Sequence, residues 1–299
     1  MNSNYNTTNP TYYARDIYIN NELVTELIIP NEIQYIKPYT FVRCSFTSVV
    51  FTNDIVSIGE MAFQNTYITG EVAIPDSVTS IGRYAFENCS AMTRVTIGNG
   101  VTEIGERAFS QCTSLKSVTI GNNVTSIGRH TFTTCSSLTS IVIPDSVTLI
   151  NSEAFGDCRS LTSIIVSDGN SVYDSRDNCN AIIKTATNEL VIGCRTTIIP
   201  DGVIKIGGSA FAYCKSLTSI VIPDSVTEIG AYAFYYCTSL ASVTIGNGVT
   251  SIGSSAFEYC GLKNIHSLNP TAPTITSNSF YSVASSGVLM HPINSDYSS

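Results

Sequence analysis

The sequence predicts a repeat solenoid made of short parallel strands in coils of about 23 residues. First, phenylalanine recurs at a nearly constant interval of 23 residues, with one step of 22 and one gap of 56. Second, a cysteine follows most of these phenylalanines by three residues. Third, a unit of this length cannot bury its apolar side alone, so neighbouring units must stack to form the core. The phenylalanines are Phe41, Phe63, Phe86, Phe109, Phe132, Phe155, Phe211, Phe234, Phe257 and Phe280.

One unit shows why each part of a coil forms. It reads "CSSLTSIVIPDSVTLINSEAF" and runs from position 135 to 155. Ile141 and Ile143 alternate with Val142, as in a short strand with one buried face. The Pro-Asp-Ser that follows ends the strand and turns the chain. Val147 and Ile150 point back toward the core, and we expect a short helical or 3₁₀ turn over residues 152–155.

The repeats divide the chain into six parts. We expect a polar segment at 1–16, irregular repeats or a cap at 17–75, regular repeats at 76–166, an insertion at 167–199, regular repeats at 200–265 and a C-terminal cap or tail at 266–299. The early coils are irregular because Thr66 stands in a cysteine position and "NTYITGEVAIP" lacks the usual leucine. Within the insertion, "AIIKTATNELVIG" predicts a β-hairpin that places Ile183 opposite Leu190 and Cys179 opposite Cys194.

Composition excludes several classes of partner. The net charge is −8 and only 13% of residues are charged, which argues against nucleic acid or an anionic membrane surface. No run of 18 apolar residues is present, so we expect no membrane-spanning helix. The first residues, "MNSNYNTTNPTYY", have neither a basic nor an apolar run, and we therefore expect no signal peptide in this chain.

The repeat resembles the leucine-rich repeat family, within it the BspA-like class. That class carries I-P-x-x-V-x-x-I-G-x-x-A-F-x-x-C-x-x-L, which is met by "IPDSVTSIGRYAFENCSAM" and "IPDSVTEIGAYAFYYCTSL". The resemblance covers roughly residues 17–299. It implies a right-handed α/β solenoid with short parallel strands and one β-hairpin insertion. It also implies an adhesin-like protein that is secreted or on the cell surface of a gut Bacteroidetes species or a similar microbe.

Seven cysteines recur in this motif, and their spacing favours a place in the core. As small buried apolar side chains they need no further role. A zinc site would need a local C-x₂-C or Cys/His cluster, which is absent, and a nucleophile would need a nearby base. A disulfide is considered only between Cys179 and Cys194, with two buried thiols as the alternative. The seven are Cys89, Cys112, Cys135, Cys158, Cys214, Cys237 and Cys260.

Neither catalysis nor a cofactor is expected. The three histidines, His130, His266 and His291, lie far apart in the sequence. The aspartates of the "IPDSV" turns are expected to bond their own backbone. The glycines of "IGNG" lack the lysine and the helix of a phosphate loop. We therefore predict no metal ligand, no catalytic residue and no enzymatic activity.

Three surfaces remain as candidates for a protein partner. The first is a group of tyrosines in the last coils, since tyrosine is enriched in interfaces. The second is the outward side of the strands, and the third is the insertion hairpin. Packing of the tyrosines on one another, and an ordinary β-sheet surface, are the alternatives. The candidate residues are Tyr213, Tyr232, Tyr235, Tyr236, Tyr259, Arg94, Thr96, Thr119, Val142, Ile165, Val221 and Thr244.

The favoured function is a non-catalytic protein-binding module that contacts host or cell-surface proteins. The alternative is a structural or attachment subunit of a larger assembly, such as a surface layer or a phage particle. The two differ in self-association, which an assembly subunit requires and a binding module does not.

Overall fold

The computed structural model describes residues 15–151, 153–276 and 278–283, and the backbone of residues 288–290. It is a β-solenoid of about 11 turns, which confirms the predicted repeat architecture and coil length. The chain forms two compact units. Unit 1 contains residues 1–138 and 146–155, and unit 2 contains residues 139–145 and 156–299.

Each coil contributes one longer strand to a parallel ladder, here called the strand ladder. In this ladder apolar residues that point inward alternate with residues that point outward, as the sequence predicted. The strands of unit 1 are Glu26–Ile28, Ser48–Val50, Gly70–Ile74, Met92–Ile97 and Ser117–Thr119. The strands of unit 2 are Ser140–Ile143, Ser163–Val166, Ser219–Ile222, Ser242–Ile245, Asn264–Ser267 and Val288–Met290.

A second parallel ladder, the short ladder, is formed by strands of two residues. In each coil this strand follows the turn that ends the longer strand. Its second residue is an isoleucine that is buried in nearly every coil. In unit 1 the strands are Tyr35–Ile36, Ser57–Ile58, Ser80–Ile81, Glu103–Ile104, Ser126–Ile127 and Leu149–Ile150. In unit 2 they are Lys205–Ile206, Glu228–Ile229, Ser251–Ile252 and Thr274–Ile275.

A glycine after most short strands lets successive coils approach closely. A Cβ atom built on Gly105 would lie 2.8 Å from the backbone nitrogen of Arg83, and one on Gly230 would lie 2.7 Å from that of Gly208. Both distances are shorter than a carbon atom tolerates. The glycine of the "IG" pair is therefore required by the spacing between coils.

The third side of each coil is a turn around the repeated phenylalanine, here called the turn ladder. In one coil, the N–H groups of Tyr84, Phe86 and Asn88 donate to carbonyls of the following coil at 2.7–2.9 Å. The residues two before and two after the phenylalanine have positive φ in most coils, as at Tyr84 (58°) and Asn88 (56°). Because every second N–H is turned toward the next coil, these residues cannot continue an α-helix.

The helical side implied by an α/β solenoid is therefore absent from the described residues. They contain no α-helix and one 3₁₀ helix, Arg176–Asn178, in the insertion. A short helical or 3₁₀ turn was predicted over residues 152–155. Residue 152 lies outside the described residues, and residues 153–157 form a turn that is not helical.

The insertion in unit 2 contains the predicted hairpin. Ala181–Lys184 pairs antiparallel with Glu189–Gly193, and Ile183 lies opposite Leu190 as expected. Tyr173–Asp174 pairs with the first of these strands, and Lys205–Ile206 of the short ladder pairs with the second. The hairpin thereby becomes the start of the short ladder of unit 2. Near the N-terminus of unit 1, Tyr18–Ile19 and Glu22–Leu23 form a smaller antiparallel pair.

The core of each unit contains a row of stacked phenylalanine rings. In unit 1, Phe41, Phe63, Phe86, Phe109, Phe132 and Phe155 stack with centroids 5.1–5.6 Å apart. In unit 2, Phe211, Phe234, Phe257 and Phe280 stack at 4.9–5.1 Å. Most of these rings are fully buried. The interval of 23 residues between phenylalanines thus arises because each coil places one phenylalanine at the same position in the core.

Candidate partner-binding surface

Six tyrosines of unit 2 form one continuous group of rings, here called the tyrosine cluster. Tyr235 lies at the centre, with ring centroids 5.5–5.9 Å from those of Tyr213, Tyr232, Tyr236 and Tyr259. Tyr236 and Tyr259 are 5.0 Å apart, and Tyr281 extends the group at 6.2 Å from Tyr259. The structure therefore brings together all five tyrosines that the sequence singled out.

The turn ladder determines where these rings lie. Tyr213, Tyr236 and Tyr259 each follow the repeated phenylalanine by two residues, so they occupy the same place in successive coils. Their φ angles are 57–61°, and that of Tyr232 is 58°. Positive φ is rare for a bulky side chain. The backbone direction imposed by the coil thus projects the rings away from the phenylalanine core.

Much of the cluster is open to solvent. Tyr232 is 45% exposed, Tyr236 and Tyr259 are each 37% exposed, and Tyr281 is 58% exposed. Burial among its neighbours, together with the neighbouring tyrosines and Glu258, raises the pKa of Tyr235. The raised pKa favours the neutral hydroxyl of Tyr235 at the centre of the cluster.

An ion-pair group lies beside the cluster. Lys215 Nζ is 6.0 Å from the ring centroid of Tyr236 and 2.9 Å from Asp157 Oδ2. Arg159 Nε lies 2.8 Å from Asp157 Oδ1. Burial opposes ionisation of Asp157, but the hydrogen bonds from Arg159 and Lys215 outweigh it and lower the pKa of Asp157. The carboxylate thus fixes the lysine next to the exposed face of Tyr236.

The predicted residues of the strand ladder do point outward. In unit 1, Thr96 pairs in register with Thr119, and Arg94 lies 4.0 Å from Glu71 across the ladder. In unit 2, Val142 pairs with Ile165, and Val221 pairs with Thr244. Val142, Ile165 and Val221 are 48%, 49% and 65% exposed. These side chains are short, and short aliphatic side chains contribute less to binding than aromatic ones.

The repeated cysteines take part in hydrogen bonding as well as packing. The Sγ atoms of Cys89, Cys112, Cys135, Cys237 and Cys260 each donate to the carbonyl of the phenylalanine one coil earlier, as Cys112 does to Phe86 at 3.2 Å and Cys237 to Phe211 at 3.0 Å. The same carbonyl also accepts the N–H of the cysteine in its own coil, as Phe86 does from Cys89. Both lone pairs of a buried carbonyl are therefore used. Sequence reasoning treated these cysteines as packing alone and missed this role.

Burial raises the pKa of several thiols. It raises the pKa of Cys89 to about 11, that of Cys44 to about 11 and that of Cys214 to about 12. Cys158 and Cys214 are half-buried, unlike the other five of the repeated set, so the expectation of uniform burial was too strong. Cys179 and Cys194 are free thiols rather than a disulfide. Cys194 Sγ instead donates to the carbonyl of Asn180 at 3.4 Å.

Two further properties concern the described residues alone. They contain no group of three or more His, Cys, Asp or Glu side chains that could hold a metal ion. Across the same residues no helix has the length and apolar character needed to cross a membrane. His130 lies 3.1 Å from Glu153, His266 is exposed on the strand ladder, and His291 lies outside the described residues.

Sequence reasoning missed two parts of the tyrosine cluster. Tyr281 was overlooked because it follows its phenylalanine by one residue rather than two. Lys215, Asp157 and Arg159 were overlooked because the 56-residue gap separates Asp157 from Lys215 in the sequence. A signal for the ion-pair group was present: Arg159 and Lys215 each follow a repeated phenylalanine by four residues.

Comparisons with known structures support the fold. A leucine-rich repeat protein from Bacteroides ovatus is 26% identical, with a TM-score of 0.59 over 91% of this chain and 77% of that chain. A leucine-rich repeat protein from Eubacterium ventriosum is 28% identical, with a TM-score of 0.52 over 72% of this chain and 65% of that chain. The pneumococcal vaccine antigen PcpA is 16% identical, with a TM-score of 0.58 over 91% of this chain and 69% of that chain, and it supports the fold alone.

The search of curated proteins gives no match. The family described as "BspA type Leucine rich repeat region (6 copies)" matches residues 13–136, 66–182 and 183–287. These matches extend over nearly all of the chain and include the repeats that form both units. The chain therefore belongs to the BspA-type leucine-rich repeat family.

Proposed function

We propose that the protein is a non-catalytic, adhesin-like module at the cell surface or outside the cell. It binds a protein on a host cell or another cell. The observation that carries this proposal is the tyrosine cluster: six contiguous rings, of which Tyr232, Tyr236, Tyr259 and Tyr281 are 37–58% exposed. Tyrosine offers a large contact area at low cost in conformational entropy, and exposed groups of this size mark interaction sites. Membership of the BspA-type family supports the surface location.

The proposed contact combines aromatic faces with one fixed cation. Lys215, held by Asp157 beside Tyr236, can pair with a carboxylate at the edge of the partner while the rings bury apolar surface. The strand ladder and the hairpin remain secondary surfaces, since their exposed side chains are shorter or more scattered. The partner that fits best is an apolar protein surface with acidic residues at its rim.

Binding of the labelled chain to mucosal epithelial cells tests the proposal. We expect saturable binding that is lost after the cells are treated with protease. Replacing both Tyr236 and Tyr259 by alanine should weaken binding by at least about 2 kcal/mol, since central aromatic residues dominate interfaces. The matched control is Tyr35→Ser, which removes a tyrosine that is 60% exposed in unit 1. Serine is the residue that the next coil has at this position, Ser57.

Two results would contradict this proposal. Binding that survives protease treatment would exclude a protein partner. Binding that is equally strong in the double variant and the Tyr35→Ser control would move the contact away from the tyrosine cluster.

A second candidate function is a structural or attachment subunit of a larger assembly. The observation that favours it is a group of exposed apolar side chains in the first coils of unit 1. Tyr18, Ile19, Ile28 and Tyr35 are 60–62% exposed there. Exposed apolar groups next to a strand can be buried by another chain. This function requires self-association of the purified protein.

A further inference from the structure

We infer that unit 1 contains a binding pocket for an acidic sugar, that is, a pyranose ring bearing a carboxylate. A cavity of about 450 Å³ opens in the first coils, within the size range of small-molecule sites. It lies in unit 1 and shares no residue with the tyrosine cluster, so it is independent of the proposed protein contact. Its lining residues are Arg15, Arg43, Asn65, Thr66, Tyr67, Asn88 and Ser90.

The irregular coil after Phe63 supplies the unusual residues of this pocket. Thr66 replaces the repeated cysteine, and its hydroxyl donates to the carbonyl of Phe63 in its own coil at 2.9 Å, whereas a cysteine thiol donates to the coil before. Tyr67 occupies the place that Ser90 holds in the next coil, four residues after the phenylalanine. The departure from the repeat therefore places a threonine and a tyrosine, rather than a cysteine and a serine, in the cavity lining.

Charge in the cavity favours an anion. Arg15 and Arg43 both line it, and none of the lining residues that the structure describes is acidic. This is notable in a chain with a net charge of −8. The guanidinium fork of arginine matches the two oxygens of a carboxylate and binds it through charge-assisted hydrogen bonds. The backbone N–H of Ser45 donates to the carbonyl of Arg15 at 2.7 Å, which ties that residue to the coil.

The neutral residues of the pocket favour a sugar ring over a simple anion. Asn88 Nδ2 donates to Asn65 Oδ1 at 2.7 Å. This bond orients the two side chains, and no described residue accepts from the amide group of Asn65. That group can donate to a hydroxyl of the ligand. Tyr67 is 53% exposed and contacts no other aromatic ring among the described residues, so its face can cover the apolar side of a pyranose.

Titration with three small probes, followed by calorimetry at low ionic strength, tests this inference. The probes are methyl β-glucuronide, methyl β-glucoside, which has the same ring without the carboxylate, and sodium acetate, which has the carboxylate without the ring. We expect the glucuronide to bind at least about tenfold more tightly than either control, because only it uses both the arginines and the neutral residues. Equal binding of the glucoside or of acetate, or no saturable binding of the glucuronide, would overturn the assignment.

Variants then locate the binding. Arg43→Gln should weaken glucuronide binding by at least about tenfold, whereas Lys116→Gln, which removes an exposed cation outside the cavity, should leave it unchanged. Melting curves show whether Arg43→Gln still folds, and Arg15→Gln provides the same test if it does not. Tyr67→Ala should weaken binding of the glucuronide while leaving the weak binding of acetate as it was. An unchanged affinity in the arginine variants would refute the pocket.

Discussion

At the scale of single residues, each repeated side chain fills a hydrogen-bonding or packing requirement of the neighbouring coil. A cysteine thiol donates a hydrogen bond to the phenylalanine carbonyl of the coil before it, as Cys89 does to Phe63. Thr66 donates its hydroxyl to the carbonyl of Phe63 within its own coil. Asp76 and Asp224 accept the N–H of an asparagine in the next coil at 2.6 and 2.8 Å, rather than bonding their own backbone as expected. At these two aspartates, hydrogen bonds between coils replace the bonds within the turn that the sequence predicted.

The first prediction concerns the reactivity of the thiols. With a pKa of about 11, Cys44 and Cys89 are about one-thousandth ionised at pH 8, and the thiolate is the reactive form. We expect iodoacetamide to leave both unmodified in the native protein at pH 8 and to modify them after unfolding in guanidinium. Mass spectrometry of the digested protein measures this. Rapid labelling of Cys89 in the native state would place it outside the core.

The raised thiol pKa values also predict alkaline unfolding. A thiol whose pKa is higher in the folded chain stabilises that chain fully at a pH below its unfolded value of 9.0. This contribution falls as the pH rises through the folded value of about 11. We therefore expect the melting temperature to fall between about pH 9 and pH 11. Replacing Cys89 by alanine should make the fall smaller, and a fall of the same size in that variant would remove the thiol as its cause.

A pair of glycines tests the close approach of the coils. Gly230→Ala places a Cβ 2.7 Å from the backbone of Gly208 and should destabilise the protein by about 1–3 kcal/mol or more. Gly208→Ala is the control, because its Cβ would meet the nearest atom at 3.4 Å, an ordinary contact. Urea unfolding of both variants gives the free energies. Equal losses of stability in the two variants would show that spacing between coils does not select glycine at position 230.

At the scale of elements, periodicity in the sequence identified the strands but not the third side of the coil. Ile141 and Ile143 alternate around Val142 and form the predicted strand. The hairpin also formed with Ile183 opposite Leu190, because alternating apolar residues determine the register. A short helical or 3₁₀ turn was predicted before the phenylalanine, but its actual conformation could not be, since the positive φ values at tyrosine, arginine and histidine are imposed by bonds to the next coil.

The row of phenylalanine rings should stabilise the contact between neighbouring coils. Phe132 is fully buried, and its ring stacks on Phe109 at 5.6 Å and on Phe155 at 5.5 Å. We expect Phe132→Ala to cost about 3–5 kcal/mol, because it leaves a cavity between two coils. Phe132→Leu fills most of that space and should cost less. Urea unfolding measures both, and an alanine variant as stable as the parent would contradict the stacked core.

At the scale of the whole molecule, repetition made the family and the solenoid predictable, whereas the surfaces depend on the exceptions. The five tyrosines of the last coils were foreseen, but not Tyr281, which is one residue out of the interval, or Lys215, which meets Asp157 across the 56-residue gap. The arginine-lined cavity was not foreseen at all. It depends on Arg15, which precedes the first coil, and on Tyr67 in an irregular coil. Such residues meet only after the coils have stacked.

The measurement that tests the central claim most directly is light scattering of the purified chain over a wide range of concentration. A binding module that contacts a foreign partner through the tyrosine cluster should remain a monomer of 32.1 kDa, with and without reductant. Assembly that grows with concentration would contradict this account and favour the structural subunit. Assembly that reductant reverses would also contradict it, because disulfides between chains would then hold the protein as an oligomer.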